Sequence, residues 1–154
     1  MLKTLTLCPQ QPEDKAFVFE LFAELRRSIF IGLPEAMAET LVRQQFEIQC
    51  ANYTNTYPDA AFNIVKTGQV NIGRLVIDRS GGAIRVIDIA LLAAYRNRGI
   101  GTFLIRTLQE EAKLTSACVY LSVERQNPAL RWYLRLGFEV LQDNEIYLQL
   151  KWLP

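Results

Sequence analysis

A chain of 154 residues, half of them hydrophobic and 21% charged, matches an ordinary globular protein and is long enough to bury a sizeable core in one domain spanning residues 1–154. Seventeen lysines and arginines against sixteen acidic residues leave a net charge of +1, too little to steer the chain to nucleic acid or anionic lipid. Histidine is absent, which excludes a Ser-His-Asp triad, a Cys-His pair and any His-ligated metal site, and no apolar run approaches the roughly 20 residues of a membrane span.

Leu5 and Leu7 alternate with Thr4, Thr6 and Cys8, the period of two expected of a strand. The stretch Met1 to Leu7 lacks the long apolar core of a signal peptide and reads better as part of this strand, so the expected location is cytoplasmic. Pro9 and Pro12 close the strand, and Pro12 suits the first turn of a helix. Val18, Leu21, Phe22, Leu25 and Ile29 then recur at helical spacing until Gly32 and Pro34. A second helix is predicted from Pro34 with Met37, Leu41, Phe46 and Ile48 inward, fading before the polar, turn-rich stretch Asn52 to Asp59. Gln45, Gln49 and Tyr53 follow one another at intervals of four on this helix; they line a cleft or form a solvated face, and spacing alone favours the solvated face.

Ala61 to Val65 and Val70 to Ile77 read as strands joined by a turn at Gly68-Gln69, with a further turn at Ser80-Gly81-Gly82. Ile84 to Leu92, apolar apart from Arg85 and Asp88, is predicted to be a central strand buried on both faces. Ile100, Leu104, Leu108 and Ala112 form one apolar stripe of a helix, with Arg106, Gln109, Glu110 and Lys113 away from it. Cys118 to Val123 is a buried strand, Pro128 to Leu136 a short helix stopped by Gly137, and Phe138 to Leu141 and Glu145 to Trp152 are the last strands. The order β-α-α-β-β-β-α-β-α-β-β describes a mixed α/β domain. Cys8, Cys50 and Cys118 are odd in number and far apart, so they predict neither a disulfide framework nor a zinc site, only small hydrophobes.

Between the buried strand and the amphipathic helix lies Tyr95-Arg96-Asn97-Arg98-Gly99-Ile100-Gly101. Helix N-termini expose unpaired N–H groups and a partial positive charge, so they bind phosphates. Gly99 and Gly101 admit close approach of an anion, and Arg96 and Arg98 add charge. Taken alone, Gly-x-Gly is equally compatible with a tight strand-to-helix turn. A Walker A loop is excluded because no Gly-Lys-Ser/Thr follows, and the incomplete Gly-x-Gly-x-x-Gly argues against a dinucleotide fold.

Asp88 to Gly101 resembles the acyl-CoA-binding motif of the GCN5-related N-acetyltransferase (GNAT) superfamily: an apolar strand, Arg/Gln-x-x-Gly-x-Gly/Ala, then an amphipathic helix. Asn127-Pro128-Ala129-Leu130-Arg131-Trp132-Tyr133-Leu134-Arg135-Leu136-Gly137-Phe138 resembles the family's Asn…Leu-Tyr-x-x-Leu-Gly-Phe signature. The chain departs from the pattern in having Ala93 where many members have proline, in an Asn127-to-Tyr133 spacing one residue shorter, and in Arg85 where some histone-modifying relatives carry glutamate. The resemblance implies a mainly antiparallel sheet that splays at the central strand, with helices on both faces and acyl-CoA in the splay.

It further implies that the pyrophosphate rests on the N–H groups of Arg98, Gly99, Ile100, Gly101 and Thr102, near Arg96 and Asn97. The pantetheine would follow the backbone through Leu91 and Ala93, with an N–H near Leu91 on the oxyanion. Asn127 is a good N-cap before Pro128 and, by resemblance, a contact to the pantetheine. Tyr133 is either a core residue or the acid that protonates the departing CoA thiolate. Asp88 is either the partner of Arg74 or Arg85 or the base, with Glu124 a weaker candidate. The implied function is acetyl transfer from acetyl-CoA to a primary amine of a small molecule or peptide by direct attack, with no metal; the alternative is a non-catalytic acyl-CoA-binding or sensor module. A homodimer is compatible with the sequence, and no nucleic acid or membrane partner is expected.

Overall fold

A computed structural model describes residues 4–154; Met1 to Lys3, included in the first strand by the sequence reading, lie outside the described residues. Strand β1 (Leu5–Pro9) ends at proline, and Pro12–Asp14 makes a single 3-10 turn into α1 (Lys15–Arg26). The Asp14 carboxylate accepts the Gln11 N–H at 2.8 Å, which fixes the entry of that helix. Helix α1 buries Val18, Phe19, Leu21, Phe22 and Ala23, whereas Leu25 and Ile29 of the expected stripe stay exposed. Ile29 lies in a following 3-10 turn, where the α-helical spacing no longer applies.

Helix α2 (Glu35–Thr56) begins after Pro34 as predicted but runs on through the polar stretch to Thr56. Its inward residues are Val42 and Phe46, with Cys50 half-buried behind them; Met37 and Ile48 face solvent. Phe46 decides the rotation of the helix, because its ring packs on Phe19 at 5.3 Å and on Phe22 at 5.5 Å. The same rotation turns Gln49 and Tyr53 toward the sheet and leaves Gln45 exposed, so the solvated-face expectation holds for one residue of the three. Packing of Tyr53 beside Arg74 supports the last turns against their poor helix propensity.

Strands β2 (Ala61–Thr67), β3 (Val70–Asp78), β4 (Ile84–Leu91), β5 (Val119–Glu124), β6 (Glu139–Asn144) and β7 (Tyr147–Trp152) join β1 in one seven-stranded sheet of order β1-β2-β3-β4-β5-β7-β6. All neighbours are antiparallel except β4 and β5, whose crossover is α3 (Ile100–Thr115). The short helix α4 (Ala129–Arg135) connects β5 to the β6–β7 hairpin. One face carries α1 and α2 over Ile64; the other carries α3 and α4 over Leu75, Ile77, Val86, Leu121 and Leu150. The fold is therefore the mixed, mainly antiparallel α/β arrangement with helices on both faces that the element order implied.

Strand β4 is not buried on both faces along its whole length. Ile84 and Val86 are buried, but from Ile87 onward every residue is half-exposed. Val76 pairs with Asp88 and Ile77 with Val86, so Ile87 is an extra residue, a bulge that bends the strand just where it leaves the core.

Candidate active site

Strands β4 and β5 share three pairs, Ile84 with Val119, Arg85 with Tyr120 and Val86 with Leu121, and then part. Beyond them β5 pairs only with β7 and β4 only with β3, which leaves an opening between two strands of the same sheet. In an antiparallel pair, alternate residues aim their N–H and C=O at the partner and away from it. Leu92 donates to the Ile72 carbonyl at 2.9 Å, so Ile89 and Leu91 aim their backbone groups away from β3 and into the opening. The Leu91 carbonyl accepts from Arg96 Nε at 2.9 Å.

The loop from β4 to α3 lies at the mouth of this opening. Tyr95 and Arg96 donate their N–H groups to Leu92 and Ala93, and Phe103 donates to Gly99 at the start of α3. Between them the N–H groups of Asn97, Arg98, Gly99, Ile100, Gly101 and Thr102 find no acceptor among the described residues. Asn97 (φ 59°) and Gly99 (φ 82°) are both left-handed, a geometry that turns successive N–H groups toward one concave side. The 16-residue helix α3 adds the positive end of its dipole. The Arg98 guanidinium is exposed, 5.7 Å above the Tyr95 ring, and pairs with no carboxylate among the described residues.

Arg96 has a different part. Besides holding the Leu91 carbonyl, it reaches Glu24 of α1 at 3.3 Å, and Glu24 accepts the Ala93 N–H at 2.6 Å. The Ala93 N–H, expected along the pantetheine path, is thus committed to Glu24, because the turn starting there leaves it otherwise unpaired. Sequence reasoning missed Glu24, which carries no local signal of a partner 69 residues away.

Gly101 is small for a second reason. A Cβ there would sit 3.3 Å from the ring of Trp132, whose indole N–H donates to Thr102 Oγ1 at 2.9 Å. Trp132 therefore sets the distance between α4 and the head of α3. Asn127 Oδ1 accepts the Ala129 N–H at 2.9 Å, so the capping role is present, and the Asn127 amide nitrogen donates to no residue among those described.

Tyr133 is buried (7% exposed), its ring 4.7 Å from Trp132 and 5.8 Å from Phe138. Its hydroxyl has no hydrogen-bond partner among the described residues, so it is not a core tyrosine satisfied at its polar end. Burial first and the charge of Asp88 second push its pKa up to about 12.

Asp88 pairs with Arg74, through Oδ2 alone: Arg74 Nη2 lies at 2.7 Å and Nε at 3.1 Å. Oδ1 accepts from no described residue. Arg74, 4% exposed, also donates to Gln49 at 3.1 Å and lies 5.8 Å from the Tyr53 ring. Burial, then Asp88, raises the Tyr53 hydroxyl to about 12, so it remains a donor at neutral pH. Arg85 instead sits 5.5 Å over Tyr120, and Glu124 is exposed at the end of β5. Breaking a buried pair strands a charge, so Arg74→Met is expected to cost about 3 kcal/mol in urea unfolding, the low end of the range because Asp88 is 22% exposed. A loss under about 1 kcal/mol would show the pair to be screened like a surface bridge.

Among the described residues no three His, Cys, Asp or Glu side chains converge as metal ligands, and no helix is long and apolar enough to cross a membrane. The three cysteines are free and half-buried. A surface concavity of about 620 Å³ is lined by α2 residues such as Glu39, Arg43 and Glu47, and shares no residue with the opening.

A mainly antiparallel sheet that parts between β4 and β5, with a strand-to-helix loop of unpaired N–H groups at the parting, is the mixed α/β arrangement that the sequence resemblance implied. The chain belongs to the GNAT family: the family model described as "Acetyltransferase (GNAT) domain" matches residues 58–140, more than half of the chain. Among solved structures it is similar to the PaiA N-acetyltransferase from Thermoplasma acidophilum in complex with coenzyme A (TM-score 0.72, 16% identity, 97% of this chain and 99% of that one). It is also similar to an acetyltransferase from Thermus thermophilus (TM-score 0.68, 21% identity, 98% and 97%) and to Ard1 from Thermoplasma volcanium (TM-score 0.64, 16% identity, 97% of each). At these identities the likeness is one of fold. No curated protein matches the sequence.

Proposed function

We propose that this protein is an acetyl-CoA-dependent N-acetyltransferase acting on a primary amine. The observation that carries the reading is the run of six unpartnered N–H groups from Asn97 to Thr102 at the mouth of the opening between β4 and β5. Six donors in a row, beside Arg98 and a helix N-terminus, fit a pyrophosphate better than they fit water. The structure of a similar fold in complex with coenzyme A supports the same choice of ligand.

Acetyl-CoA supplies the acetyl group as a thioester. The residues of the chain position the reactants and move protons. The N–H groups of Ile89 and Leu91 face the opening, where the pantetheine and the thioester carbonyl would lie, and the free Asn127 amide is a further donor. A protonated amine first gives one proton to solvent. Asp88 Oδ1 takes the second as the C–N bond forms, and the Tyr133 hydroxyl gives its proton to the sulfur as the C–S bond breaks. Asp88 and Tyr133 then exchange protons with solvent to restore the starting state.

The test is release of free thiol from acetyl-CoA over a library of primary amines. Acyl transfer is expected with at least one amine class, with product mass increased by one acetyl group. CoA binding without transfer to any amine would instead make the domain an acyl-CoA-binding or sensor module, a role that uses neither Asp88 Oδ1 nor the Tyr133 hydroxyl.

A further inference from the structure

On the α1–α2 side of the sheet, Asp88 and Ala90 of β4 line a cavity of about 40 Å³. Leu25 and Arg26 of α1, Gln49 of α2 and Arg74 of β3 line it as well. Three charges meet there, and two of them cancel: Arg74 lies on Asp88 Oδ2. The third, Arg26, is half-buried with its guanidinium 4.3 Å from the centroid of the Phe22 ring, and it pairs with no carboxylate among the described residues. Among the described residues the cavity therefore holds one uncompensated positive charge, and one carboxylate oxygen, Asp88 Oδ1, with no donor.

A bare ammonium ion, and still more a polyamine, enters such a site against the Arg26 charge. An amine that also bears a carboxylate brings the missing negative charge. A guanidinium fork matches a carboxylate in shape as well as charge, and the aromatic face behind Arg26 limits its freedom and its hydration. The small volume suits a head group, with the rest of the molecule passing Leu25, which is 44% exposed, toward solvent.

We propose that the acceptor is an amino acid or a similarly small amino carboxylate, its carboxylate held by Arg26 and its amine presented to Asp88 Oδ1. This rests on reading the opening between β4 and β5 as an acetyl-transfer site. Gln49 is held by Arg74 and braces the cavity from α2. Leu25 and the rim beside it select the side chain.

The experiment separates the two readings by using binding for one and turnover for the other. The twenty amino acids and their carboxamides are titrated calorimetrically into the full chain saturated with CoA; each pair keeps amine and side chain and differs in the carboxylate charge. The same set is assayed for thiol release from acetyl-CoA. At least one amino acid is expected to bind about 10- to 100-fold more tightly than its amide, the range for a hydrogen bond to a charged group. Arg26→Gln is expected to bring that ratio close to one, and Arg26→Lys to restore part of it. The inference is overturned if no amino acid binds, if amides or diamines bind as well as the acids, or if Arg26→Gln leaves the ratio unchanged while the variant still binds CoA. Carboxylate-dependent binding without thiol release would sink the transfer reading and leave the assignment of the pocket standing.

Discussion

Gly99→Asp is expected to lower CoA affinity by about 100-fold or more while leaving the protein folded. Gly99 sits at φ +82°, and a Cβ built there meets nothing within 4 Å, so the added side chain projects into open space next to the unpaired N–H groups of the loop. The backbone strain is about 1–2 kcal/mol for most residues in the left-handed region and less for Asp or Asn, whose short side chains tolerate it. The charge is the larger effect. Two like charges about 4 Å apart near a protein surface repel by roughly 4 kcal/mol before salt screening, and the pyrophosphate would carry more than one. Gly99→Asn controls for strain, because it is isosteric with Asp and neutral; it is expected to keep most of the affinity. Calorimetric titration with CoA at two salt concentrations decides the matter. Equal affinity of Gly99→Asp and wild type would remove the loop from the binding site, and equal losses in Asp and Asn would assign the effect to the backbone. Gly101 is a poorer probe, because any Cβ there presses on Trp132 and mixes packing with electrostatics.

Tyr133→Phe is expected to reduce kcat with little change in the KM for acetyl-CoA. An interaction made mainly in the transition state lowers kcat when removed, whereas uniform binding raises KM. General acid catalysis is worth about 10²–10⁴-fold, and the effect here should lie at the lower end, since a thiol with a pKa of about 8.5 leaves tolerably without help. Phenylalanine keeps the contacts with Trp132 and Phe138, and because the hydroxyl has no partner to abandon, the melting temperature should hardly move. With its pKa raised from 10 to about 12, the hydroxyl stays protonated up to pH 10, so the wild-type rate should not fall through loss of this proton between pH 8 and 10. An unchanged kcat in Tyr133→Phe would make Tyr133 a packing residue.

The loop from Arg96 to Gly101 was legible because its physics is local. A strand end, glycines at set spacing and a helix start lie within a few residues of one another, and the backbone supplies the chemistry itself. The α2 reading held at Phe46 but failed at Met37 and Ile48, for the opposite reason. Val42 and Phe46 face inward while Met37 and Ile48 do not, because the rotation of α2 is set by Phe46 meeting Phe19 and Phe22 of another helix. The expected burial of β4 on both faces failed where the strand leaves β5, and no pattern within Ile84 to Leu92 marks that point. The bulge at Ile87 follows from the register with β3, a property of two strands and not of one.

Element order, the strand-to-helix loop of unpaired N–H groups, the cap at Asn127 and the lack of histidine were all determined by the sequence itself, since each depends on the chain and its local neighbours. Which side chains are spent and which remain free was decided only by the tertiary structure. Asp88 finds Arg74 fourteen residues away, Arg96 finds Glu24 seventy-two residues away, and Trp132 finds Thr102 thirty residues away. A polar group's chemistry depends on whether packing brings it a polar partner, and packing left Asp88 Oδ1, Arg26 and the Tyr133 hydroxyl without one among the described residues.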